Sequence, residues 1–304
     1  MDAKRGYLLV FLTALISGVS IFVNKFGVKE TNPYVFAFLK NTIVAIFLCS
    51  ILFLVKEFKS LSRLKKKDWL NLVLIGLFGG SIPFLLFFKG LTMTTAVNSA
   101  FIHKTMFIYV ALLSLMFFKE KLNKNVLAAA LFLLAGNFMF LKMNSFSFGA
   151  GDLLIFIATL FWAVEIAISK RALRNLSGNV VAFGRMFFGS FFILLFLAVS
   201  GNYLEIMSLN INQFYWIALT SVFLFLYVLT FYNGLKYVNA TVATSILLLG
   251  SVVTTLLNVF FSGAGITLMQ AIGMLFLVLG IVSYFGIVDL LKKLKSYAFS
   301  TAKP

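Results

Sequence analysis

Gly6 to Leu15 reads GYLLVFLTAL, and Gly151 to Leu160 reads GDLLIFIATL. The two stretches lie 145 residues apart, and each opens a long apolar run. The match continues outward: Lys25 falls on Lys170, and Lys40 on Arg185. Near Gly90 the shift shortens to 144, so that KGL at Lys89 to Leu91 falls on NGL at Asn233 to Leu235, Ala96 on Ala240, and Gly136 on Gly280. A repeat that fills nearly half the chain indicates one structural unit used twice. It divides the chain into residues 1–145 and 146–290, followed by a basic tail, 291–304.

The runs are too apolar for water. Hydrophobic residues make up 62% and charged residues 12% of the chain, with a mean hydropathy of +1.04. A soluble domain carries about a quarter charged residues. A membrane-spanning helix needs about 20 mostly apolar residues. Ten spans fit: 6–26, 34–55, 69–89, 95–118, 125–141, 151–170, 180–200, 213–235, 240–261 and 268–288, the fifth being short. The first run follows basic residues, as a signal peptide would, but it is long and lacks a small-residue cleavage pattern, so it reads as a retained helix. In hydrocarbon every backbone group must be paired internally, which makes the spans helices. The fold class is therefore an all-α integral membrane protein with ten transmembrane helices. Five helices per unit is an odd number, so the second unit enters from the opposite side and the repeat is inverted.

The net charge of +17 sets the orientation. With the N-terminus in the cytoplasm, nineteen basic residues fall on the cytoplasmic side, six of them between Lys56 and Asp68, against four outside: Lys25, Lys29, Lys89 and Lys142. The positive-inside rule selects that topology, a multi-pass cell-membrane protein with both termini cytoplasmic. Nucleic acid is not an expected partner, because the basic residues lie between spans and not on one soluble domain. Cys49 is the single cysteine, so no intrachain disulfide forms. No phosphate-binding glycine loop, metal-ligand cluster or nucleophile–base pair is visible, and no cofactor or metal is expected. The three basic residues left unassigned to either side, Lys40, Lys104 and Arg185, fall inside spans.

Four stretches carry a resemblance: LISGVSIFVNKFGVK (Leu15 to Lys29), PYVFAFLKNTIVAIFL (Pro33 to Leu48), FFKEKLNKNVLAAALFLLAGNFMF (Phe117 to Phe140) and FWAVEIAISKRAL (Phe161 to Leu173). In order and spacing the chain resembles an EamA-type member of the drug/metabolite transporter superfamily. That resemblance implies ten helices in two inverted repeats and a transport role, without naming a substrate. The family's Trp-Gly or Trp-Ala pair stands as Trp162-Ala163 in the second unit and Ser17-Gly18 in the first. Its second-helix arginine is Arg185 in one unit and Lys40 in the other. Its acidic turn appears as Lys119-Glu120-Lys121, with Ala264-Gly265-Ile266 as the partner, and Thr105 and Gly250 stand where a proline is common in the fourth and ninth helices.

Polar residues inside spans mark the face that avoids lipid. Thr13, Ser17, Ser20 and Asn24 form one helical stripe, and Ala158, Trp162, Glu165 and Ser169 repeat it in the sixth helix. Ser251, Thr255 and Asn258 form another in the ninth, and Tyr227 and Thr230 align in the eighth. Such stripes serve close helix packing or a polar pathway. Glu165 is the one acid deep in a span, and Lys104 lies at similar depth in the stretch AFIHKTMFIYVALL, Ala100 to Leu113. A Lys104–Glu165 pair, direct or through water, would make both charges tolerable. The neighbouring His103 points about 100° away and reads either as a neutral buried imidazole or as a gating or proton group. Lys40 and Arg185 read as snorkelling cations or, for Arg185 above all, as gate residues.

Inverted repeats are common in secondary transporters, with the substrate site between the halves. The expected function is a secondary transporter that exports small metabolites such as amino acids or related amphipathic compounds by alternating access, facilitated or coupled to protons. Glu165, Lys104, Trp162, Ser20, Asn24, Tyr227 and Ser251 are the candidate substrate-binding residues; His103, Arg185 and Lys40 are the candidates for gating or proton coupling. The alternative is a non-transporting receptor or scaffold, or a membrane enzyme, of the same fold.

Overall fold

A computed structural model describes residues 2–118, 124–139, 148–263 and 265–285. Besides two short helices, Phe58–Leu61 and Asn202–Ser208, the described residues form ten longer helical stretches in order: α1 (Asp2–Gly27), α2 (Pro33–Leu54), α3 (Lys66–Met93), α4 (Ala96–Phe118), α5 (Lys124–Phe138), α6 (Ala150–Ala172), α7 (Gly178–Ser200), α8 (Ile211–Leu235), α9 (Ala240–Ser262) and α10 (Leu268–Phe285). Eight of them, all but α5 and α10, are long and apolar enough to cross a membrane. The fifth expected span is described as a helix of only 15 residues, and the tenth has a shorter apolar core, Leu268–Gly280. The turn at Lys119-Glu120-Lys121, its partner residue Ala264 and the tail 291–304 lie outside the described residues.

Caps fix where the helices begin. Asn32 accepts from the Tyr34 backbone N–H ahead of Pro33, and Ser177 accepts from Val180 N–H at the start of α7. Large apolar side chains such as Phe53, Met116 and Leu195 are exposed on the outside of the bundle. That is the expected arrangement where lipid, and not water, is the solvent.

The duplication read in the sequence returns as duplicated contacts. Helix α1 packs on α8, and its counterpart α6 packs on α3; α2 meets α7, and α5 meets α10. Glycines let the crossing backbones approach. A Cβ on Gly6 would lie 3.3 Å from Gly234 O, and one on Gly151 would lie 3.0 Å from Gly90 O. The ends of the units match as well. Lys25 Nζ donates to Leu91 O at 2.6 Å and to Thr94 O. Lys170 Nζ donates to Leu235 O and to Val238 O, both at 2.7 Å. Each lysine of one pair thus caps the C-terminal carbonyls of the third helix in its own unit, where the helix dipole favours a cation.

Helices α4 and α9 are both interrupted midway. The first consists of Ala96–Lys104 and Met106–Phe118, the second of Ala240–Ile246 and Leu249–Ser262. Neither break contains a proline. At the breaks the ladder tightens to three-residue bonds, Ile108 N–H to Thr105 O at 3.0 Å and Gly250 N–H to Leu247 O at 3.0 Å. His103 and Lys104 therefore sit at an interruption and not within a continuous helix.

Candidate functional site

Between the units lies a cavity of about 80 Å³. Polar side chains from α1, α2, α4, α6, α7 and α8 line it, along with an aromatic wall of Phe84, Phe87, Phe88, Trp162 and Phe231. Its groups fall into two connected sets.

The first set runs from α1 to α2. Asn24 Nδ2 donates to Ser20 Oγ at 3.0 Å, and Lys40 Nζ donates to Asn24 Oδ1. The Lys40 ammonium also lies 4.9 Å from the Phe36 ring centroid and 4.8 Å from that of Phe88.

The second set runs from α6 to α7 and α8. Ser169 Oγ donates to Glu165, and Tyr232 OH donates to Glu165 Oε1 at 2.7 Å. Arg185 Nη1 donates to the Tyr232 hydroxyl at 3.1 Å, so that the phenol bridges cation and anion. Arg185 Nη2 reaches Gly79 O at 3.0 Å, and Trp162 Nε1 reaches the same oxygen at 2.9 Å.

Why a backbone oxygen inside a helix can accept two side-chain bonds is a matter of local sequence. Pro83 has no N–H, so the α-helical partner of Gly79 O, four residues on, is missing. The helix relaxes into a π-type turn over Gly76–Ser81, of the kind that recurs at functional sites. Two carbonyls of this turn accept side-chain bonds: Gly80 O accepts from Asn41 Nδ2 at 2.5 Å, while Gly79 O serves Trp162 and Arg185. Only glycine fits at 79, since a Cβ there would lie 2.4 Å from Glu165 Cγ.

His103 packs edge-on against Trp162, with ring centroids 4.9 Å apart, and against Phe87 at 5.8 Å. Its Nδ1 is buried with no hydrogen-bond partner. The imidazole thus faces the cavity with one ring nitrogen unengaged. Among the described residues, no three of His, Cys, Asp and Glu gather as a metal site would require.

The EamA-like transporter family matches residues 4–142 and, a second time, residues 149–286. The chain belongs to that family. A transporter of Bacillus subtilis, the uncharacterized transporter YyaM, is 23% identical over 94% of this chain and 95% of its own. An uncharacterized transporter of Archaeoglobus fulgidus is 26% identical over 65% of this chain and 68% of its own. One solved crystal structure superposes with a TM-score of 0.74 at 18% identity, covering 93% of this chain and 98% of the other, a likeness of fold. This EamA-like protein is a membrane transporter.

Several residues of the transporter lie elsewhere than its sequence suggested. Lys104 makes no direct pair with Glu165. It donates to Ser17 Oγ at 2.8 Å and lies against α9, where a Cβ on Gly250 would come within 3.1 Å of Nζ. Residues 103 and 104 point about 100° apart, and it is His103 that faces Trp162 on α6. Lys40 and Arg185 do not snorkel: they are 1% and 4% exposed, and both line the cavity. Each finds ring faces and side-chain or backbone oxygens inside, so neither stem extends to an interface. Ser251 lies away from the cavity and donates to Asn137 Oδ1 at 3.2 Å, between α9 and α5. Ser20, Asn24, Trp162, Glu165 and Tyr227 line it. Tyr232 and Gly79 did not stand out in the sequence. The available signals were Tyr232 replacing Phe88 under the 144-residue shift and the Gly-Gly-Ser-Ile-Pro run ending at Pro83.

Proposed function

We propose that the chain is a ten-helix, two-unit carrier that exports small metabolites such as amino acids by alternating access, without covalent chemistry. The observation that carries this reading is the cavity itself. It joins both units and holds a cation–anion set that bridges α6, α7 and α8. Its volume of about 80 Å³ is well below the roughly 300–1,000 Å³ of pockets that hold drug-sized ligands. A metabolite therefore enters only as the walls part, which suits a carrier that opens to one side at a time. The repeated packing of α1 on α8 and α6 on α3 supports an inverted repeat across which such rocking takes place. Nineteen basic residues assigned to one side support cytoplasmic termini and a cell-membrane location. Glu165 and His103 are the groups through which protons would couple, since each can change charge inside the cavity.

Counterflow in liposomes tests the reading. Vesicles preloaded with a panel of unlabelled amino acids and organic acids should accumulate the matching labelled compound when they contain the protein. Absence of flux for the whole panel, with the protein folded and monodisperse, would contradict it.

A further inference from the structure

The cavity is built of residue pairs related by the repeat, and one pair is unbalanced. A shift of 145 takes Ser20 to Glu165, Asn24 to Ser169 and Lys40 to Arg185; a shift of 144 takes Phe88 to Tyr232. The geometry follows the pairing. Asn24 bonds Ser20 four residues back, as Ser169 bonds Glu165. Lys40 lies over the Phe88 ring at 4.8 Å, and Arg185 over the Tyr232 ring at 5.8 Å.

In the second unit the cation has its counter-charge: the Tyr232 hydroxyl links Arg185 to Glu165. In the first unit both elements of that arrangement are missing. Serine stands in the place of the acid, and phenylalanine in the place of the phenol. Lys40 is left with Asn24 Oδ1 and two ring faces, and no carboxylate reaches it among the described residues. Glu165 is engaged elsewhere: its Oε1 accepts from both Ser169 and Tyr232, beside Arg185. A buried ammonium with no counter-charge is costly in a low-dielectric interior. This one lines the cavity, beside Ser20 and the aromatic wall.

We propose that Lys40 is the binding residue for a carboxylate carried by the substrate, which takes the place beside Lys40 that Glu165 takes beside Arg185. The substrate is a small organic acid or an amino acid held by its carboxylate end, with its apolar body against Phe84, Phe87 and Trp162. This rests on the transport reading for the word substrate, but not for the site.

Small ions that suit the 80 Å³ space test the site directly. The probes are acetate, glycine and methylammonium, which are all small and differ in charge. Ionic strength is held constant with gluconate, a carboxylate too bulky for this space. The melting temperature of the detergent-purified protein is followed against probe concentration, because a ligand of the folded state alone raises it by mass action. A saturable rise with acetate, glycine or both is expected, and none with methylammonium. Acetate without glycine identifies an organic-acid carrier; glycine without acetate identifies a site that needs the whole zwitterion. In Lys40→Met the apparent dissociation constant should increase at least about tenfold, a loss of order one charge-assisted bond. Lys40→Arg keeps the charge and should keep the rise, which provides a second reading if Lys40→Met does not fold. No carboxylate-dependent rise in the natural protein, a rise with methylammonium alone, or an undiminished rise in Lys40→Met would overturn the proposal. Flux without a carboxylate effect would sink this inference alone; a carboxylate effect without flux would sink the transport reading alone.

Discussion

Arg185→Met should be the most damaging single substitution in the cavity. Arg185 and Glu165 are 4% and 1% exposed and are joined through Tyr232 OH. Removing the guanidinium leaves the carboxylate in a low-dielectric interior with only two hydroxyl donors, Ser169 and Tyr232. Breaking a buried charge pair from one side costs about 3–5 kcal/mol. That is a large part of the roughly 5–15 kcal/mol by which proteins are stable. Arg185→Met should therefore melt well below the natural protein and lose monodispersity in detergent. Glu165→Gln combined with Arg185→Met removes both charges and should recover most of the melting temperature without recovering transport. A single Arg185→Met variant as stable as the natural protein would show that the two charges are not coupled.

Lys104→Met should have the opposite sign. Lys104 is 2% exposed, its hydrogen bond goes to a neutral hydroxyl on Ser17, and no carboxylate reaches it among the described residues. A lysine at mid-span costs about 2.5–3.5 kcal/mol on insertion scales. Losing its bond to Ser17 gives back about 1 kcal/mol. The variant should be stabilised by about 2 kcal/mol net, read as a rise in melting temperature. Its effect should add independently to that of Glu165→Gln, since the two residues share no partner. A marked destabilisation, or strong non-additivity with Glu165→Gln, would show that Lys104 has an acidic partner after all.

That contrast shows what the sequence could and could not convey. The apolar runs made most span limits legible, because those rest on composition alone. The span read as 34–55 forms a helix over Pro33–Leu54, and that read as 180–200 forms one over Gly178–Ser200. Counting residues along each helix suggested a similar depth for Lys104 and Glu165, and with it a pair. Rotation about the axis was not legible. The interruption of α4 at Thr105 and the 100° step between neighbours decide that His103, not Lys104, turns towards α6. The π-type turn at Gly76–Ser81 also escaped, because it depends on Pro83 withholding a donor within a run that hydropathy reads as uniform helix. The snorkelling expected of Lys40 and Arg185 failed for a related reason: near-terminal position in a span does not reveal that oxygens and ring faces wait inside. The equivalence of Lys40 and Arg185 was legible from the shift alone, whereas the loss of a counter-charge beside Lys40 required Tyr232 and Phe88 to be seen in place.

We propose that one cavity between the two units faces each side of the membrane in turn, an alternation that can be measured. Its most direct measurement uses Ser20→Cys, which lines the cavity, in a Cys49→Ala background that removes the single natural thiol. A membrane-impermeant thiol reagent is applied to sealed vesicles of each orientation in turn. Alternating access predicts modification of residue 20 from either side, slowed when a transported compound is present. Modification from one side only, unchanged by any transported compound, would contradict it.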